Sequence, residues 1–123
     1  MTRILIVDDA EAVRESMSAV LKKAGYDVTE AADGEQALAT LSTQSFDLAI
    51  VDIWMPRKNG LSLLQEVRAQ RTDIPIIIVS GGGPGAPLER SAALADIYGA
   101  AEVLFKPFEN IELLDAVTGA LES

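Results

Sequence analysis

The segment Phe46–Pro56, FDLAIVDIWMP, constrains the fold of this chain more than any other. Its apolar run, Leu48-Ala49-Ile50-Val51, is short enough for a strand and lacks polar alternation, which suits a strand buried on both faces. Pro56 and the turn-prone Arg57-Lys58-Asn59-Gly60 stop it. Asp52 therefore stands at the carboxyl end of a buried parallel strand, the edge at which open α/β sheets bind ligands. Taken alone, an aspartate there also suits the capping of the following turn. The rest of the chain has to separate the two readings.

Three further runs share this form. Arg3–Val7 contains Ile4-Leu5-Ile6-Val7 and ends in an acid pair, Asp8-Asp9. Ile76-Ile77-Ile78-Val79 ends at Ser80, and Glu102–Phe105 leads into Lys106-Pro107-Phe108. Tyr26–Ala31 is shorter and alternates with polar residues, as an edge strand does. Helical patterns lie between the strands. Over 10–24, Val13, Met17, Val20, Leu21 and Ala24 recur at helix spacing, with Lys22 and Lys23 in the last turn and Gly25 as the stop. Asp33 is placed to cap a helix over 34–41, with Ala37, Leu38 and Leu41 inward. A helix over 61–71 would bury Leu61, Leu64 and Val67. Another is expected over 88–98, and a last one over 111–121 with Ile111, Leu114, Val117 and Leu121 apolar. Gly81–Pro87, GGGPGAP, cannot be regular structure. Five strand–helix repeats imply a parallel sheet with helices on both faces.

The 123 residues suffice for one domain with one sizeable core, over 1–123. No apolar run approaches membrane-spanning length, and the N-terminus lacks a signal-peptide layout, so a cytoplasmic location is expected. Without cysteine or histidine, thiolate and imidazole chemistry are excluded, and any metal ligand must be an oxygen or a lysine. A net charge of −9 argues against direct nucleic-acid binding.

In such a sheet the strand ends line one edge. The first strand brings Asp8 and Asp9 there, the third Asp52, the fourth Ser80 and the fifth Lys106. Three carboxylates this close repel one another, and a divalent cation with oxygen ligands, Mg²⁺, relieves the repulsion. The site then suits phosphoryl transfer, which needs in-line positioning and neutralised phosphoryl oxygens. Asp52 can serve as nucleophile, forming an acyl phosphate. Ser80 and Lys106 are placed to contact its oxygens.

These features resemble the receiver domains of two-component response regulators, the CheY-like family. The resemblance covers essentially the whole chain and rests on Asp8-Asp9, Asp52-x-x-Met55-Pro56-x-x-x-Gly60, Ser80 and Lys106-Pro107-Phe108. It implies a flavodoxin-like, doubly wound five-stranded parallel sheet in the order 2-1-3-4-5 with five helices. It also implies that Asp52 accepts a phosphoryl group from a histidine kinase or a histidine phosphotransfer protein. Asp9, Asp52 and the Trp54 backbone carbonyl would hold Mg²⁺, with Asp8 acting partly through water. Ser80 would move to meet the phosphate and Lys106 would pair with it, the Lys106–Pro107 bond being cis. The readout would use the face made by the helix over 88–98, the fifth strand and the last helix. Ala12, Val13, Ser16 and Pro107-Phe108 would lie where the kinase docks, while Val13 and Phe108 equally suit the core.

Three features depart from the family pattern. Val103 stands where the family places a switching Tyr or Phe, and Phe105 is expected on the other side of the strand. The stretch between Ser80 and Lys106 is longer than usual, with the excess in Gly81–Pro87. Trp54 would lie beside the phosphoryl group, large enough to crowd an attacking water, and equally suits a partner interface.

A flavin-binding reading fails because Asp8-Asp9 occupies the place of a phosphate loop. A dehalogenase-type phosphatase would need its nucleophile after the first strand and a second acid two residues on. The expectation is a phosphoacceptor rather than an enzyme, with self-catalysed phosphorylation and dephosphorylation. It would be a single-domain regulator or a piece of a longer one. The alternative is a degenerate receiver that acts as a phosphorylation-independent interaction module.

Overall fold

The unbroken apolar runs form the middle of the sheet. A computed structural model of the chain describes residues 1–53, 60–70, 74–80 and 100–122. Its strands are β1 (Arg3–Val7), β2 (Asp27–Ala31), β3 (Leu48–Asp52), β4 (Ile76–Ser80) and β5 (Glu102–Phe105). All pair in parallel, in the order β2-β1-β3-β4-β5. Every residue of β3 and β4 is buried, whereas β2 and β5 are partly exposed along their length. That is the division between central and edge strands expected from unbroken and alternating hydrophobic patterns.

Four helices are described: α1 (Glu11–Lys23), α2 (Gly34–Thr43), α3 (Gly60–Gln70) and α4 (Asn110–Glu122). The expected helix over 88–98 and the glycine-rich segment 81–87 lie outside the described residues. Strand alternation divides the core in two. Ile4, Ile6, Leu48, Ile50, Ile77, Val79 and Leu104 face Met17 and Leu21 of α1 and Leu113 and Val117 of α4. Leu5, Val7, Ala49, Val51, Ile76 and Ile78 face Ala37 and Leu41 of α2 and Leu63 and Val67 of α3. Burying each large aliphatic side chain fully contributes about 2 kcal/mol, so the two clusters fix the sheet between its helical layers. No helix among the described residues is long and apolar enough to cross a membrane.

Local signals set the helix ends. After α1, Gly25 adopts φ 99°, a conformation open to glycine without the Cβ penalty. Its N–H bonds the Lys22 carbonyl at 3.0 Å, and that of Tyr26 bonds the Leu21 carbonyl at 3.1 Å. This is the double closure of a Schellman turn, and it starts β2 promptly. At α2, the Asp33 carboxylate accepts from the Gln36 N–H at 2.8 Å, while the Gln36 side-chain oxygen accepts from the Ala32 N–H at 2.8 Å. Asp33→Ala is expected to cost about 1 kcal/mol, read as a lower urea midpoint at unchanged slope.

Two helical faces differ from the expected stripes. In α3, Val67 is buried as anticipated and Leu63 joins it, one turn earlier; the side chains of Leu61 and Leu64 lie outside the described set. In α4, Val117 is buried and Leu114 and Leu121 pack partly buried against the core as anticipated, whereas Ile111 is 59 % exposed and Leu113, Ala116 and Ala120 join the inward face. The alanines let the helix lie close to the sheet, and Ile111, at the start of the first turn, projects past it.

Candidate functional site

Alternation along the strands decides which side chains meet at their carboxyl ends. On β3, Leu48 and Ile50 face α1 and α4, so Asp52 points the same way. Asp8 follows Ile4 and Ile6 in the same phase, and Lys106 follows Leu104. The contacts agree: the Lys106 Nζ lies 3.1 Å from Asp8 Oδ2 and 3.2 Å from Asp52 Oδ2. The residues so joined are 98 and 54 positions apart in sequence. The Asp8 side chain is fully buried and that of Asp52 nearly so, whereas Lys106 keeps 23 % of its side chain in solvent. The other carboxylate oxygen of Asp8 accepts the Ala10 N–H at 2.9 Å. This bond fixes the turn that carries the exposed Asp9. The Lys106–Pro107 peptide is cis, as expected.

Each of Asp8, Asp9 and Asp52 offers a carboxylate oxygen, and these oxygens lie within 4.8 Å of one another. A hard cation with metal–oxygen distances of about 2.1 Å fits among oxygens so spaced. The donor set contains only hard oxygens, so the residues present fit Mg²⁺. Lys106 supplies one positive charge against three carboxylates. Burial, the largest single influence on its ammonium, favours proton loss. The carboxylates of Asp52 and Asp8 together outweigh burial, and Lys106 holds its proton above the usual 10.5.

Ser80 stands at the end of β4, where the sequence placed it, but its phase is that of Ile76 and Ile78, toward α2 and α3. Its side chain is fully buried, and its hydroxyl has no hydrogen-bond partner among the described residues. Its carbonyl accepts the Lys106 N–H at 2.9 Å, which ties the ends of β4 and β5 together. Phe105 corrects an expectation. The ladder pairs Ile78 with Val103 and Ser80 with Phe105, and Val103 packs against the cluster facing α2 and α3. Two residues on, Phe105 falls on the same face as Val103, not the opposite one, and is 37 % exposed. Val13 and Phe108, read as near a docking surface, both pack against the α1–α4 core and are half-buried, while Ala12 and Ser16 are exposed. Trp54 lies outside the described residues. The sequence reading passed over Arg14, which bonds the backbone of Asp8 and whose only signal was its place one turn into α1.

The structure thus sets an acid cluster with a lysine at the carboxyl edge of a doubly wound α/β sheet, and comparison with known proteins gives the family. The response regulator receiver domain matches residues 4–118. The chain is 39 % identical over 112 residues to response regulator MprA of Mycolicibacterium vanbaalenii, covering 91 % of this chain and 47 % of that one. It thus spans about half the length of the curated relatives it matches. A CheY-like receiver domain from Methanospirillum hungatei superposes with a TM-score of 0.90 at 34 % identity, over 99 % of this chain and 94 % of that one. Response regulator TrrA of Thermotoga maritima, in complex with Mg²⁺-BeF, superposes with a TM-score of 0.85 at 34 % identity, over 98 % of this chain and 100 % of that one. The chain belongs to the response regulator receiver family of two-component systems.

Proposed function

We propose that this chain, as one receiver domain over 1–123, is a phosphoacceptor: Asp52 takes a phosphoryl group from a phosphohistidine of a sensor kinase or phosphotransfer protein. The observation that carries the reading is the Asp52 carboxylate itself. It is nearly buried at the sheet edge, paired with Lys106 and within one ion's reach of Asp8 and Asp9. One Asp52 oxygen attacks phosphorus in line as the N–P bond to the donor breaks. That bond's electron pair stays on the imidazole nitrogen, and the product is an acyl phosphate. Asp8, Asp9 and Asp52 would hold Mg²⁺, joined by the Trp54 carbonyl by resemblance. When bound, the ion neutralises the phosphoryl oxygens. Lys106 stays protonated across the neutral range and can follow the new charge. The unpartnered Ser80 hydroxyl is a donor available to a phosphoryl oxygen once it turns toward the acid cluster. That TrrA was crystallised with Mg²⁺-BeF, a phosphoryl mimic, supports the reading.

On this reading the domain is a cytoplasmic regulator rather than an ordinary enzyme. It alters partner binding through β5, α4 and the helix expected over 88–98, or passes the phosphoryl group on. The test is incubation with a small phosphodonor, with and without Mg²⁺, followed by intact mass. Gain of one phosphoryl group only with Mg²⁺ is expected. No gain in either buffer would overturn the reading. The second reading, a module that signals without phosphate, draws on Val103 in place of the switching aromatic, and would gain from that result.

A further inference from the structure

Arg14 makes two bonds in two directions. Its Nη1 donates to the Asp8 carbonyl at 2.8 Å, and its Nε donates to Glu30 Oε1 at 3.0 Å. The guanidinium is largely buried, with 16 % of the side chain exposed. Glu30 stands on β2, one residue before its end and level with Ile6 of β1. The Asp8 N–H also bonds the Ala31 carbonyl at 3.2 Å. The peptide joining Asp8 to Asp9 therefore has its oxygen held by Arg14, and Arg14 is held by the edge strand. Asp9 is exposed, so this peptide is what fixes where its carboxylate starts.

We infer that Arg14, braced by Glu30, is a positioning residue that sets the Asp8-Asp9 pair in metal-binding geometry before an ion arrives. The inference rests on the reading of Asp8, Asp9 and Asp52 as a Mg²⁺ site. Partners of this kind, one bond removed from the ion, commonly change affinity by about tenfold or more. The opposite physical expectation is equally definite. Arg14 is a cation near the cluster, and if it acted only as a charge its removal would strengthen Mg²⁺ binding. The two roles thus differ in sign. Lysine separates them further, because it keeps the charge but cannot present two donors in a fixed fork.

The experiment is calorimetric titration of the chain with Mg²⁺, comparing Arg14→Ala, Arg14→Lys, Glu30→Ala and the Arg14→Ala/Glu30→Ala pair. Both Arg14 variants are expected to bind about tenfold more weakly and Glu30→Ala more weakly by a smaller factor. The pair should be no weaker than Arg14→Ala alone, since Glu30 acts through Arg14. Raising Mg²⁺ should restore the full rate of phosphoryl uptake, which general damage to the fold would not allow. Should Arg14→Ala fold poorly, Glu30→Ala, at an exposed position, reads the same brace. Wild-type binding with unchanged or tighter binding by the Arg14 variants overturns this inference alone. No Mg²⁺ binding by the unsubstituted chain overturns the metal site and this inference with it.

Discussion

Asp52→Asn is expected to take up no phosphoryl group under any donor concentration and to be more stable than the unsubstituted chain in Mg²⁺-free buffer. The first effect follows from chemistry: an amide oxygen is a poor nucleophile, and among the described residues the only other carboxylate paired with Lys106 is Asp8, which is fully buried. The second follows from charge. Asp8, Asp9 and Asp52 gather three negative charges around one lysine. Asparagine removes one of them at nearly constant volume and leaves Lys106 paired with Asp8. The gain should be on the order of 1 kcal/mol, the scale of a single pKa unit. Urea unfolding in the presence of a chelator reads it as a higher midpoint. Adding Mg²⁺ should stabilise the unsubstituted chain and close the gap, because a ligand bound only by the folded state adds to its stability. Equal stability without the ion would mean that the carboxylates do not strain the folded state.

The site was legible because it is built from strand ends. Ile76-Ile77-Ile78-Val79 and Leu48-Ala49-Ile50-Val51 have no polar alternation, so they could be placed in the middle of a parallel sheet. The residues that follow them, Ser80 and Asp52, could then be placed at its edge. The parallel sheet between helical layers followed for the same reason, while the strand order came with the family resemblance and is the one observed. What was not legible depends on phase and on contacts between distant elements. Ile111 is as apolar as Leu113, and only the seat of α4 on the sheet decides which is buried. Phe105 needs the pairing of β4 with β5 before its face is known. Arg14 and Glu30 are 16 residues apart with nothing in the local pattern to join them, and their meeting depends on β2 lying beside β1. The expectations for Trp54 and for the glycine-rich segment 81–87 fall outside the described residues.

Replacing Lys106 with methionine should move stability and metal affinity in opposite directions. Methionine keeps much of the length of the side chain but leaves Asp8 and Asp52 without the ammonium they share. Removing one member of a buried ion pair commonly costs several kcal/mol, and with Lys106 partly in solvent we expect about 2 kcal/mol. The pH dependence has a definite sign. Lys106 binds its proton more tightly folded than unfolded, its ordinary value being 10.5. Its contribution is therefore fully present below about that pH and is lost as pH rises through the higher folded value. The stability difference between the unsubstituted chain and Lys106→Met should accordingly stay flat from neutral pH to the ordinary lysine value and shrink above it. Mg²⁺ affinity should instead rise in the variant. In the unsubstituted chain the ammonium already neutralises two of the carboxylates that would bind the ion, and it repels the ion besides. Calorimetric titration at neutral pH should show several-fold tighter binding by Lys106→Met. If both quantities fell together, Lys106 would be holding the carboxylates in place for the ion rather than competing with it, and the site would be a cooperative lattice instead of a balance of charges.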